Sequence, residues 1–159
     1  MAKSSPRKLR DNLKHVSAYG DRAEHSHLRM ATIMLYAFTI FTALIYIVTA
    51  GANDMEGTTG DDEMKGKAFT YICVIAGVSI ILLMLEFYPT LNDTMKLFRL
   101  GVVITSLVFV GLAIPKVVDL SDGTDAASGS KFSFASLTLA FGGLASLINI
   151  MEIFRKSDF

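Results

Sequence analysis

The chain has no tryptophan, one cysteine and three prolines in 159 residues, and its 15 lysines and arginines are cancelled by 15 aspartates and glutamates. With no net charge there is no overall basic field to attract nucleic acid. A lone cysteine, Cys73, allows no intramolecular disulfide, which excludes membrane families whose outer loops are stapled by such bonds. Cys73 lies inside an apolar run and reads as a small packing residue rather than a reactive thiol. Without tryptophan, any interfacial aromatic belt must use Tyr36, Tyr46, Tyr71, Tyr88 and the phenylalanines. Polar residues are also scarce. Hydrophobic residues make up 52% and the mean hydropathy is +0.46, too apolar for an ordinary soluble domain of this length.

What is there is apolar sequence in four blocks. Residues Met30–Asn53, Ala68–Leu85, Leu100–Pro115 and Phe132–Met151 carry no charge. A membrane-spanning helix needs about 20 apolar residues, and three blocks meet that directly. The third has 16, or about 24 Å of helix. It spans if Arg99 and Lys116 snorkel to the two interfaces and Leu97, Phe98, Val117 and Val118 extend it. None of the four has a polar face, which argues against a water-soluble bundle. The expected fold is therefore all-α: a polytopic membrane protein with four transmembrane helices at about 30–50, 68–88, 97–118 and 132–154. Residues 1–28 form a basic arm and 29–159 the bundle.

Charge orients the chain. Residues 1–29 hold Lys3, Arg7, Lys8, Arg10, Lys14, Arg22 and Arg29 against three acids. The loop after span two adds Lys96 and Arg99, and the tail adds Arg155 and Lys156, giving 11 basic residues on that side. The other two loops hold four, among eight acids. The positive-inside rule then places both termini in the cytosol. The sequon at Asn92 falls in the cytosolic loop, where it stays unmodified. Ser5 and Pro6 suit a helix start. Leu9, Leu13 and Val16 recur at helical spacing among Arg7, Lys8, Arg10 and Lys14, the pattern of a short helix on an anionic leaflet; a frayed arm is the alternative. His25 and His27 do not share a helix face and read as solvated.

The two halves resemble each other. "RMATIMLYAF" after Arg29 matches "RLGVVITSLVF" after Arg99, and "AGVSIILLMLEFY" matches "GGLASLINIMEIF", aligning Gly77 with Gly143 and Glu86 with Glu152. Two parallel pseudo-repeated hairpins follow. Glu86 and Glu152 end inward-running spans, where the helix dipole disfavours a carboxylate by a few tenths to about 1 kcal/mol. Each should seek a cation at its own depth. The expected structural pairs are Glu86 with Arg99, and Glu152 with Arg29 or Arg155. A cation or proton site built from the carboxylates is the functional alternative.

Helix association in lipid depends on close approach and interhelical hydrogen bonds. The candidate seams are Ser136-x3-Ala140, Gly142-x3-Ser146 and Cys73-x3-Gly77 with Ser79, together with Thr32, Thr39 and Thr42 in span one and Thr105, Ser106 and Gly111 in span three. Asn149, an amide inside a span, needs a partner on a neighbouring helix. Pro115 marks the exit of span three. Met30, Met34, Met84 and Met151 suit soft packing. There is no Gly-rich phosphate loop, no paired Cys/His spacing and no Ser-His-Asp set, so neither enzyme, cofactor nor metal is expected.

The turn "LEFYP" at Leu85–Pro89, with a basic residue and a Gly-containing span after it, resembles the COPI-associated, Tvp15-like family of small four-helix Golgi membrane proteins. That resemblance implies a non-catalytic role in vesicle traffic, in a Golgi or endosomal membrane. The expected function is binding, as a vesicle-membrane organiser or an accessory subunit of a larger membrane complex. Expected partners are the lipid bilayer, anionic lipids at the arm and another membrane protein. A small oligomeric channel or transporter is the alternative. A plasma-membrane location and an organelle inner membrane both stay open.

Overall fold

In a computed structural model the described residues are 6–51, 62–88, 95–122 and 126–156. They form four long α-helices, α1 (Pro6–Gly51), α2 (Asp62–Phe87), α3 (Lys96–Asp119) and α4 (Ala126–Lys156), with a 3₁₀ turn at Leu120–Asp122 after α3. Each contains a segment long and apolar enough to cross a bilayer: Ser26–Ala50, Gly66–Phe87, Lys96–Asp119 and Gly129–Arg155. The chain is an all-α integral membrane protein with four such helices.

Each helix packs on its neighbours in the chain, α4 closes the ring onto α1 most extensively, and α2 briefly touches α4 across the middle. Consecutive helices run antiparallel, so the termini share one end of the bundle. That end is called the terminal end below, and the opposite one the loop end. Only 28–39% of each spanning window is buried. The outward remainder is apolar, with Phe41, Val48, Ile81, Met84, Val108 and Leu147 among the exposed large side chains. Lipid solvates such a surface; water does not.

The core has two parts. At the loop end Ala43, Ala50, Ala68, Ala76, Ala113 and Ala135 surround Tyr46, Ile72, Ile75 and Val117. These alanines let the backbones approach closely, which matters where lipid supplies no hydrophobic drive between helices. At the terminal end Tyr36, Leu82, Leu85, Val103 and Ala145 form a smaller cluster. Aromatic pairs bridge the seams: Phe38 and Phe141 between α1 and α4 at 5.6 Å, and Tyr71 and Phe109 between α2 and α3 at 6.1 Å.

The pseudo-repeat extends to part of the buried register, though not to Thr42 and Leu112 or to Leu85 and Met151, where one is buried and the other exposed. Tyr36, Ala43 and Ala50 in α1 correspond, at an offset of 70, to Ser106, Ala113 and Leu120, and all six are buried. Ile72, Ala76, Ser79 and Glu86 in α2 correspond, at an offset of 66, to Thr138, Gly142, Ala145 and Glu152, again all buried.

Several expectations need correction. The arm is not separate from the first span: α1 runs unbroken from Pro6 to Gly51, about 69 Å at 1.5 Å per residue. Loss of hydropathy at Arg29 ends the apolar segment without ending the backbone hydrogen bonding. The side chains of Arg7, Lys8, Arg10 and Lys14 lie outside the described residues, as does Asn92. Pro115 does not end α3, which continues to Asp119. Proline has no N–H to donate to the carbonyl four residues back, at Gly111, so the helix continues through Pro115 with one backbone bond fewer. Met30, Met34, Met84 and Met151 are all more than half exposed and face outward instead of filling the core. Tyr36 and Tyr46 are buried, so they belong to no interfacial belt.

Candidate functional site

The polar groups of the interior gather at the terminal end, where the four helices each supply at least one. Glu86 is the penultimate residue of α2 and Arg99 the fourth of α3. The turn between these helices brings the two together, because an apolar run has to stop at each charge and both stops fall at the same membrane edge. Arg99 donates to Glu86 Oε1. Glu86 is 1% exposed and Arg99 4%. Here the contact is a buried ion pair, not a surface one.

Two more helices join it. Arg99 also donates to Asn149 Oδ1 of α4. The amide nitrogen of Asn149 donates to the Tyr36 hydroxyl of α1 at 2.8 Å and to the Ala145 carbonyl at 3.1 Å. Tyr36 pairs in turn with Ser146, whose hydroxyl donates to Ser106 Oγ at 3.2 Å. Arg29 flanks the cluster from α1. Its Nε lies 3.5 Å from Glu86 Oε2, and its guanidinium also donates to the Glu86 main-chain carbonyl. That second bond satisfies a carbonyl at the α2 C-terminus that has no partner within the helix. Glu152, 4% exposed, acts electrostatically on Arg99. Two guanidinium groups and two carboxylates therefore share one end of the bundle, and with all four ionised their charges cancel.

The network reaches from Arg29 to Tyr36, seven residues or about 10 Å along the helix. Beyond Ser106 and Ser146 the interior hydroxyls mostly fold back on their own helices. Thr39 donates to the Leu35 carbonyl at 2.8 Å and Thr42 to the Phe38 carbonyl at 2.9 Å. One further crossing joins Thr138 to Thr42 at 2.9 Å. The alanine-rich core follows.

The residues expected at the site fall into three groups. Glu86, Arg99, Arg29 and Asn149 meet in one network. Arg29 turns to Glu86 on the adjacent helix, and its guanidinium lies against the end of α2. Gly142 and Ser146 line a real seam. A Cβ built on Gly142 would stand 3.3 Å from both Ile75 Cγ2 and Thr39 Cγ2, so α1, α2 and α4 converge where it has no side chain. The third group is corrected. Gly77 and Ala140 are exposed, and a Cβ at Gly77 would meet nothing within 4 Å. Ser136 is half-buried, with its hydroxyl bonded to the Ser133 carbonyl of its own helix. The buried stripe of α4 runs through Ala135, Thr138, Leu139, Gly142, Ala145, Ser146, Asn149 and Glu152; at 100° per residue Ser136 lies at its margin and Ala140 outside it. Thr105 and Gly111 likewise face outward, while Ser106 faces in.

Tyr36 was expected at a membrane interface and Ser106 only as a seam residue; neither was expected in the polar network. The signal was present: each lies seven residues after the arginine of its half, so each shares that arginine's helix face. No family model matches the chain, and no curated protein and no solved structure does so either.

Proposed function

We propose that this integral membrane protein works by binding, without catalysis, as an organiser of vesicle or secretory-pathway membrane or as an accessory subunit held against a larger membrane complex. The observation that carries this reading is that the interior network links all four helices. Glu86, Arg99, Asn149 and Tyr36 are committed to one another across four helices. Polar groups locked together in this way hold helix register, and the apolar outer surface is what remains to meet partners. The 11-to-4 distribution of basic residues supports a cytosolic terminal end. In that orientation the basic start of α1, with Arg7, Lys8, Arg10 and Lys14, meets anionic lipid. The likeness of Leu85–Pro89 to the COPI-associated proteins supports a Golgi or endosomal membrane.

Purification from native membranes with mass spectrometry of the bound species tests this reading. A stoichiometric membrane partner, together with no ion flux after reconstitution into liposomes, is the expected result. A second reading, a small oligomeric channel or transporter, draws on the two buried carboxylates. Flux that disappears in Glu86→Gln would establish it and displace the first.

A further inference from the structure

The network at the terminal end balances in charge, but its charges do not share one environment. Glu86 and Glu152 are 1% and 4% exposed. The cations of that rim lie outward: Lys96 and Arg155 are exposed, and the Arg29 side chain is 42% exposed. Among the described side chains no acid faces out there, whereas at the loop end Asp119 is exposed as well as Lys67. The outer surface of the terminal end is therefore positive over a neutral interior.

A break in the pseudo-repeat keeps Arg29 at the rim. Arg99 is drawn inward by the Asn149 oxygen as well as by Glu86. At the offset of 66 the counterpart of Asn149 is Leu83, which offers Arg29 no acceptor. Arg29 therefore meets Glu86 alone, with Nε 3.5 Å from Oε2 and Nη2 donating to the main-chain carbonyl. Both contacts use the Nε–Nη2 edge of the guanidinium. The group carries five N–H donors in a fixed fork. Its Nη1, and the N–H of Nη2 beside it, have no partner among the described residues.

The depth of this second edge selects what can meet it. Arg29 stands three residues inside the spanning segment Ser26–Ala50, about 4.5 Å along the helix. An arginine at the hydrocarbon edge extends toward the headgroups, and the anion there is phosphate, whose paired oxygens match a guanidinium fork. We propose that Arg29 holds the phosphate of an anionic lipid through its Nη1–Nη2 edge while its Nε–Nη2 edge stays on Glu86. Charge complementarity favours an anionic lipid over a zwitterionic one, because the latter brings a cation of its own to a rim that already exposes Lys96 and Arg155. The bound lipid pins Arg29 against the end of α2 and so ties α1 to α2. The site uses no residue of the arm. It rests on the terminal end facing a leaflet that carries anionic lipid, the orientation proposed above, and not on the vesicle or accessory role.

Native mass spectrometry of the full-length protein in detergent, with phosphatidylserine, phosphatidylcholine or inorganic phosphate added, tests the site. Orientation plays no part in micelles, so a failure here leaves that reading standing. One phosphatidylserine per chain should bind in preference to phosphatidylcholine, and excess inorganic phosphate should not displace it. Arg29→Gln should weaken its binding about tenfold or more, the loss of a bond to a charged group. Arg29→Lys keeps a charge beside Glu86 but lacks the fork; it should weaken binding too, and it guards against misfolding of the glutamine variant. Arg7→Gln, Lys8→Gln, Arg10→Gln and Lys14→Gln together should leave the binding unchanged. Equal binding of the two lipids, undiminished binding in both Arg29 variants, displacement by inorganic phosphate, or loss in the arm variant alone would each overturn the proposal. The last result would place the lipid on the arm.

Discussion

Replacing Arg99 with methionine keeps most of the side-chain volume and removes the charge at the centre of the network. Arg99 donates to both Glu86 and Asn149, so the change leaves a carboxylate that is 1% exposed without its nearest cation. Breaking a buried pair by removing one partner costs about 3–5 kcal/mol, because the remaining charge stays desolvated. The Asn149 oxygen loses its donor as well, a loss of about 1 kcal/mol. Against this, Arg29 remains 3.5 Å from Glu86 Oε2. Its side chain is 42% exposed, so solvent screens much of its attraction. The expected net loss is about 3–5 kcal/mol. An ordinary interhelical hydrogen bond in a membrane protein is worth about 0.6 kcal/mol, well below that. The double variant Arg99→Met with Glu86→Met removes both charges, and should be clearly more stable than Arg99→Met alone. Equilibrium unfolding of the full-length protein in mixed micelles, followed by far-UV ellipticity, measures all four corners of the cycle. A single-variant loss below about 1 kcal/mol, or additivity within about 0.5 kcal/mol, would refute the reasoning.

Gly142 and Gly77 should respond to alanine with opposite signs. Gly142→Ala puts a methyl 3.3 Å from Ile75 and Thr39 and should destabilise by about 1–3 kcal/mol through overpacking. Gly77→Ala meets nothing within 4 Å and should stabilise by about 0.5–1 kcal/mol through helix propensity. The same unfolding assay reads both, and a shift in the same direction for the two would contradict the seam assignment. Ser79 Oγ is buried with no hydrogen-bond partner among the described residues, so Ser79→Ala should raise stability by about 1–3 kcal/mol. A loss of stability there would show that the hydroxyl is satisfied after all.

The four spans were legible because hydrocarbon thickness sets a length that apolar sequence must meet, and the observed segments differ from the expected ones by a few residues. The Glu86–Arg99 contact was legible for a related reason: charges are rare in such sequence, so two at one membrane edge find each other. The inward face of each helix was not legible. In a soluble helix a polar face marks the outside, but here both faces are apolar, and small residues occur on both. Ala140 and Gly142 lie two residues apart in the sequence and point to lipid and core respectively. Tyr36 was obscured by the habit of tyrosines at membrane interfaces; its heptad relation to Arg29 was the better guide. The length of α1 was hidden because hydropathy reports on solvent, whereas helix continuity depends on backbone hydrogen bonding.

The central claim is a chain that crosses the bilayer four times and leaves both ends on one side, with the Glu86–Arg99 pair at that same edge. Single cysteines at positions 5, 92 and 157 and at positions 58 and 123, in the Cys73→Ser background, report it through a membrane-impermeant maleimide on sealed vesicles of known orientation. The account predicts labelling of 5, 92 and 157 from the cytosolic face alone, and of 58 and 123 from the opposite face alone. Labelling of positions 5 and 157 from opposite faces would contradict it.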